Sequence, residues 1–322
     1  MPQTDTSQIP AEVNNFYDKT LLYRAVPYFV HTKWAQVRNI PRKGGTKTIK
    51  FRRYGNLVAA TTPLTEGVTP VGSQLSVTDI TANIADYGDY VTITDQLDYQ
   101  SEDPVLTEAA EILGDQAGDT LDQLCRDILV AGTNVYYGGT ATSRVTVAAA
   151  DLITKVLIQK VVRTLKNGLA RKVTRMVDAS TGIATAPLSA CFIGIVHPNV
   201  SFTLKDLSGF VKVENYARNQ TIMENEIGML EEVRFIETTN AKVFTGAGAA
   251  GIDVYATLIM GMDAYATSAV NGEAMKNIVK PLGSGGTSDP LNQRATSGWK
   301  AIFVAKILNN NFLVRVETSA AA

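Results

Sequence analysis

The chain has 322 residues, 45% hydrophobic and 19% charged, which allows a sizeable core and excludes an intrinsically disordered protein. Its formal net charge is −1, so no global field draws it to nucleic acid or an anionic membrane, and only local patches could do so. No apolar run approaches the ~20 residues of a membrane-spanning helix, and the polar stretch Met1–Pro10 has no signal-peptide core.

The expectation is a soluble protein made in the cytosol, in which Cys125 and Cys191 are reduced, buried thiols. Taken in chain order, Met1–Val13 is polar and reads as flexible. Asn14–Trp34 is rich in aromatic and aliphatic residues, among them Phe16, Tyr17, Leu21, Leu22, Tyr28, Phe29 and Trp34. A helix over Phe16–Ala25 fits, and so does an extended arm whose apolar groups dock elsewhere. From Lys19 to Thr65 there are ten Lys or Arg and no acidic residue.

Thr46–Tyr54 alternates as a strand, with Ile49 and Phe51 opposite Lys50 and Arg52. Asn56–Ser76 mixes Gly and Pro with Thr and Val and lacks the large apolar residues to bury a face. Val77–Thr94 returns to strand composition. Thr46–Thr94 therefore reads as a long two-stranded projection with a turn-rich tip, marginal alone and in need of a surface to lie on.

Asp103 is a good N-cap and Pro104 suits a first helical turn, so a helix is expected from there to about Ala131, with Gly132 as its stop. About 28 residues would span roughly 42 Å. Leu106, Ala110, Leu113, Ala117, Leu121, Leu124 and Ile128 recur at helical spacing. Glu108, Glu111, Asp115, Asp119 and Asp122 recur on the opposite side. Gly114 and Gly118 fit either simple tolerance or a close backbone approach.

Asp151–Asn167 is a second amphipathic helix, with Leu152, Val156, Leu157, Val161 and Leu165 inward and Gly168 as terminator. Ser189–Val196, stopped by His197-Pro198, and Val254–Gly261 are apolar strands. Leu282–Thr287 is a Gly/Ser linker. Trp299–Leu308 and Phe312–Glu317 read as a hairpin around Asn309–Asn311.

Catalytic chemistry finds little support. His31 and His197 are the only histidines. On a strand, Cys191 and His197 would lie roughly 20 Å apart, out of hydrogen-bond reach. Cysteine and histidine spacing suits no metal site. Asp86 and Asp89 near Asp79 resemble a calcium loop only loosely, because its register is absent. The Gly-rich stretches lack a phosphate-loop ending.

The basic residues Arg24, Lys33, Arg38, Arg42, Lys43, Lys47, Lys50, Arg52 and Arg53 admit three readings. They could pair with the acidic stripe of a neighbouring copy, contact nucleic-acid phosphates, or form an ordinary solvated run. The first is preferred, because a chain with one acidic face, one basic segment and almost no net charge suits association with itself. The twelve candidate inter-subunit residues are Arg38, Arg42, Lys43, Lys47, Lys50, Arg52 and Arg53 with Glu108, Glu111, Asp115, Asp119 and Asp122.

The order of elements, together with Tyr87-Gly88-Asp89-Tyr90-Val91-Thr92-Ile93-Thr94, Asp103-Pro104-Val105-Leu106-Thr107-Glu108, Gly114-Asp115-Gln116-Ala117-Gly118, Ala131-Gly132-Thr133-Asn134 and Asp289-Pro290-Leu291…Gly298-Trp299-Lys300, resembles tailed-phage major capsid proteins of the HK97-like fold, most closely the N4-type branch. The resemblance implies an α+β fold in five parts. Residues 1–45 would be an N-terminal arm and 46–100 an extended loop over an adjacent subunit. Residues 101–177 would be a peripheral domain with its spine helix at 104–131, and 178–280 an axial domain. Residues 281–322 would hold a linker and strands returning to the peripheral domain.

It further implies a structural, non-enzymatic virion protein without cofactor or membrane contact, made in the bacterial host cytoplasm. Such a protein would form hexamers and pentamers of an icosahedral head around double-stranded DNA. Portal, scaffold and decoration proteins would be further partners. No helical prodomain precedes the arm, so a scaffold would be a separate protein or a lost segment. Nothing supports a Lys–Asn cross-link through Lys47 or Lys50. An encapsulin-like compartment is the alternative with the same fold.

Overall fold

The computed structural model describes residues 29–40, 48–55, 57–100, 105–174, 190–216, 223–270, 275–285 and 289–321. The expected Phe16–Ala25 helix, and the caps at Asp103 and Pro104, lie outside these residues. Along the chain come β1 (Gln36–Ile40), β2 (Thr48–Tyr54), β3 (Val77–Asn83), β4 (Ala85–Thr94), and helices α1 (Asp95–Gln100) and α2 (Val105–Val130). Next are β5 (Val135–Tyr137), α3 (Lys155–Asn167), β6 (Phe192–Val196), α4 (Pro198–Lys205) and β7 (Val211–Lys212). Strands β8 (Glu226–Leu230), β9 (Val233–Glu237), β10 (Val243–Phe244), β11 (Val254–Met260) and β12 (Tyr265–Val270) follow. The last are β13 (Met275–Lys280), β14 (Arg294–Phe303), β15 (Ala305–Ile307) and β16 (Leu313–Thr318).

The central layer is an eight-stranded sheet, β5-β16-β11-β6-β9-β8-β7, with β10 paired to β11. Its middle strands are apolar on both sides because both faces are covered. Ile193, Ile195, Leu258 and Met260 share one core cluster with Leu113, Leu121, Cys125 and Leu129 of α2. Phe192, Val196, Phe235 and Ile259 share a second with α3 and α4. At Gly194 a Cβ would come within 2.6 Å of the Phe235 ring, so this strand needs a residue without a side chain there.

Both covering helices follow from local sequence. Thr154 caps α3 by accepting from Leu157 N, so the helix begins at Lys155 and not at the expected Asp151, and Gly168 ends it as expected. Leu157, Ile158, Val161, Val162 and Leu165 are buried, whereas Val156 points to solvent, so the inward face is rotated by about one residue from the expected one. On α2, Ala110, Leu113, Ala117 and Leu121 are buried as expected, and Gly114 and Gly118 are buried with them.

A three-stranded sheet, β13-β14-β4, packs on α2. Trp299 Nε1 donates to Gln116 Oε1 at 3.1 Å, and Gln116 Nε2 donates to Asp89 Oδ2 at 2.7 Å. That amide and the Tyr90 N–H hold the Asp89 carboxyl below its ordinary value. A third sheet joins β1-β12-β15, and β2 pairs with β3 alone.

Two strand expectations are corrected. Val77–Thr94 is not one strand: it breaks at Ile84 into β3, which completes the ribbon, and β4, which joins β14. The hairpin around Asn309–Asn311 is absent, because β14 pairs β4 and β13 while β16 pairs β11 and β5. Asn309 instead caps a short 3-10 turn by accepting from Asn311 N. In both cases local composition reads as strand correctly, but the partner is chosen by burial far away in sequence. Among the described residues no helix is long and apolar enough to cross a membrane.

Candidate inter-subunit surfaces

The β2–β3 ribbon is anchored at its foot. Phe51 and Ala82 are buried against Ala266 and Val304, with Ile49 and Ile80 packed beside them. Gly55 N donates to Ser76 O at 2.9 Å and closes the ladder. Beyond that bond every described residue from 57 to 76 is exposed and none lies in a helix or strand. Val58 is 92% and Val71 100% exposed. Burying one such side chain is worth about 1.5–3 kcal/mol, which this chain alone does not realise. This run of uncovered apolar residues makes the tip a candidate contact surface.

Of the basic candidates, Arg38 on β1 and Lys50, Arg52 and Arg53 on β2 are exposed. Arg42, Lys43 and Lys47 lie outside the described residues. Arg52 sits directly opposite Asp79 in the ribbon register. Its Nε and Nη2 donate to the two Asp79 oxygens at 2.9 and 3.3 Å. This fork holds the Asp79 carboxyl below its ordinary value. Asp86 pairs with Lys300 at 3.3 Å, so the three aspartates that loosely resembled a calcium loop are engaged separately. Among the described residues no group of three His, Cys, Asp or Glu could hold a metal ion.

The acidic stripe divides. Glu108 is exposed, and Glu111 and Asp115 are half-buried. Asp119 accepts from Gln123 Nε2 and Asn240 Nδ2, both at 2.7 Å. Asp122 corrects the expectation outright, because it is fully buried. Its Oδ1 accepts from Val30 N at 2.9 Å and His31 N at 2.6 Å, and its Oδ2 meets His31 Nδ1 at 2.7 Å. His31 O in turn accepts from Tyr265 Oη and from Cys125 Sγ. The segment carrying Val30, Trp34 and Ala35 thus lies over the helix face that reads as solvent-facing in isolation. No local signal announces this, since His31 and Asp122 are 91 positions apart.

Two further ion pairs escaped sequence reasoning for the same reason, the first buried and the second joining a buried carboxylate to a half-buried arginine. Arg234 donates to Glu226 at 2.6 and 2.7 Å, and Tyr216 Oη and Met223 N donate to the same carboxylate. Arg144 forks onto Glu317 at 2.9 and 2.7 Å and stacks over Phe244. The groups considered for nucleophilic chemistry are placed poorly for it. Burial pushes the Cys125 thiol well up and the Cys191 thiol to about 11. His197 caps α4 by accepting from Asn199 N, and burial lowers its pKa.

Solved structures share this arrangement over nearly the whole chain. The capsid of Ralstonia phage GP4 is 15% identical, with a TM-score of 0.67 over 88% of this chain and 87% of that one. The cyanophage Pam1 capsid is 17% identical, with a TM-score of 0.63 over 93% and 92%. A virus-like particle from Pyrococcus furiosus is 12% identical, with a TM-score of 0.51 over 95% and 100%. No curated protein matches the sequence. The α+β architecture, an exposed ribbon beside a body braced by one long helix, is the HK97-like capsid fold. A family model described as phage capsid protein matches residues 77–315, well over half of the chain, and the chain therefore belongs to the phage capsid protein family as a shell-forming, major capsid protein.

Proposed function

We propose that copies of this chain assemble through the ribbon and the N-terminal segment into hexamers and pentamers of an icosahedral tailed-phage head enclosing double-stranded DNA. The exposed tip of the ribbon carries this reading: residues 57–76 keep their apolar side chains in solvent although the foot of the ribbon is rigidly packed. A second copy is the partner that would cover them in a self-assembling shell. Each contact need be only modest, because one subunit meets many neighbours at once.

In this reading residues 1–45 are the arm and 46–100 the extended loop. Residues 101–177 and 281–322 belong to the peripheral domain, and 178–280 to the axial domain. Exposed Arg38, Lys50 and Arg53 meet carboxylates of a neighbouring copy, with Glu108, Glu111 and Asp115 among the acidic contributors. Asp119 and Asp122 serve the inside of the chain instead. The role is mechanical, with no catalytic step. Portal and scaffold proteins are proposed further partners, and DNA contact is proposed to be non-specific.

A compartment for a cargo enzyme is the second reading with this fold. It draws on the likeness to the virus-like particle, which has the lower TM-score. Negative-stain electron microscopy of the purified chain, alone and then at raised concentration, tests assembly. Closed shells or hexamer–pentamer sheets are expected. Monomers that persist even with a co-expressed scaffold overturn the reading.

A further inference from the structure

A cleft of about 770 Å³ opens at the foot of the ribbon, between β1, β2, the end of α3 and the turn after β15. Arg38, Arg53 and Arg171 reach it from three separate segments, and Asp263 is the single carboxylate on its lining. Arg52 also lines it but is committed to Asp79. Among the described residues the other three arginines have no ion-pair partner. Ile80, Met262, Leu308 and Phe312 supply apolar wall. The end of α3 does not oppose an anion strongly, because Gly168, Leu169 and Ala170 N–H groups already occupy the Thr164, Lys166 and Leu165 carbonyls. A cationic rim over an apolar wall suits a carboxylate flanked by apolar side chains.

The chain carries one such segment in the open. Between Lys19 and Thr78 the only carboxylate is Glu66. It sits at the corner of a turn closed by Val68 N donating to Thr65 O at 3.2 Å, with Gly67 at φ +76°. Leu64 and Val68 flank it and are 79% and 63% exposed. None of residues 57–76 lines the cleft of its own chain.

We propose that the tip turn Leu64–Val68 of one copy seats in this cleft on a neighbouring copy. Glu66 then faces Arg38, Arg53 and Arg171, and Leu64 and Val68 lie on the apolar wall. This assignment rests on the reading of the ribbon as the element that grasps a neighbour, and it names both ends of that contact. The turn is preformed, so seating it costs little chain ordering.

A charge exchange tests it. Glu66→Lys and Arg171→Glu are each expected to lower the yield of shells about tenfold, and the double variant to recover most of it. Both positions are exposed, so the melting temperature of the unassembled chain should not move. A second measurement does not depend on those charges. Thr65→Cys with Leu169→Cys in one chain should give a covalent ladder on oxidation of assembled shells, against a low background because Cys125 and Cys191 are buried.

Normal shells from both single charge variants overturn the proposal, as does a ladder no stronger than from Thr65→Cys alone. Intact Arg171→Glu shells that hold less double-stranded DNA would assign the cleft to a polyanion and also overturn it. Deletion of residues 57–75 separates the two readings. If the deletion abolishes shells while the charge variants do nothing, the ribbon still grasps a neighbour but its tip seats elsewhere. If shells survive the deletion, the ribbon reading itself falls.

Discussion

Two arginine–carboxylate forks in this chain have almost the same geometry and opposite surroundings. In the body, Arg234 and Glu226 are 1% and 0% exposed, bonded at 2.6 and 2.7 Å, and joined by Tyr216 and Met223. In the ribbon, Arg52 and Asp79 make the same fork with both side chains in water. The first is enclosed by apolar residues of the same chain, whereas the second leads outward to a tip that nothing covers. At the Arg234–Glu226 fork the body satisfies a buried charge pair with its own chain. The ribbon fixes its register internally but leaves its apolar surface uncovered by its own chain.

The largest expected effect is in the body. Glu226→Ala removes the carboxylate onto which Arg234 forks and the acceptor of Tyr216 and Met223. Breaking one side of a buried pair costs about 3–5 kcal/mol. Denaturant unfolding of the unassembled chain should show that loss. A change under about 1 kcal/mol would mean that the pair is solvated and the contrast with the ribbon is wrong.

Asp122→Ala comes next. It leaves Val30 N, His31 N and the His31 ring without their acceptor inside the core. A loss of about 3 kcal/mol is expected, since each orphaned buried group costs about 1–3 kcal/mol and some will find water. Proteolysis in the unassembled chain should then reach residues 29–35 first. Equal protection in wild type and variant would show that the apolar contacts of Val30 and Trp34 hold this segment without the carboxylate.

At the tip the balance reverses. Val58→Ser with Val71→Ser should change the stability of the free chain by no more than about 0.5 kcal/mol, because both residues are exposed. Shell formation should nonetheless fall sharply. If shells form as before, these apolar side chains are ordinary surface and the ribbon's partner contact lies in its strands.

The same contrast explains what the sequence makes legible. Elements whose reasons are local are readable: α3 announces itself through its apolar stripe and Gly168, and β6 through an unbroken apolar run. The ribbon is readable because Thr48–Tyr54 alternates and the stretch after it cannot form a core. What fails is pairing. Val77–Thr94 and Trp299–Glu317 have correct strand composition, but which sheet each half joins depends on α2 and β13, elements outside the stretch itself. The acidic stripe fails at Asp122 because helical periodicity separates polar from apolar faces and says nothing about which polar face another segment will cover. Glu66 is visible in sequence as the lone carboxylate of a basic stretch, but its meaning depends on a cleft built from four distant segments.

The smallest expected effect concerns the ribbon's own fork, and its sign follows from the direction of the shift. Hydrogen bonding from Arg52 holds Asp79 below its ordinary 3.8, so the pairing contributes fully above that value and is lost as pH falls through the lower, folded one. Between pH 6 and 8 the ribbon should therefore be indifferent to pH, and only strongly acidic solution should loosen it. Both groups are in water, so the gain is small and screened at high salt, where the Debye length shrinks to about 3 Å at 1 M. Asp79→Asn should leave the body's melting unchanged and speed hydrogen exchange of the β2–β3 amides modestly. Raised salt in assembled shells then separates two contributions. If shells loosen with salt in wild type and Asp79→Asn alike, the salt-sensitive charges are those between copies. If the variant removes the salt dependence, the sensitivity belongs to the ribbon's register, and the positive charge of Arg38, Lys50 and Arg53 adds little to holding neighbours together.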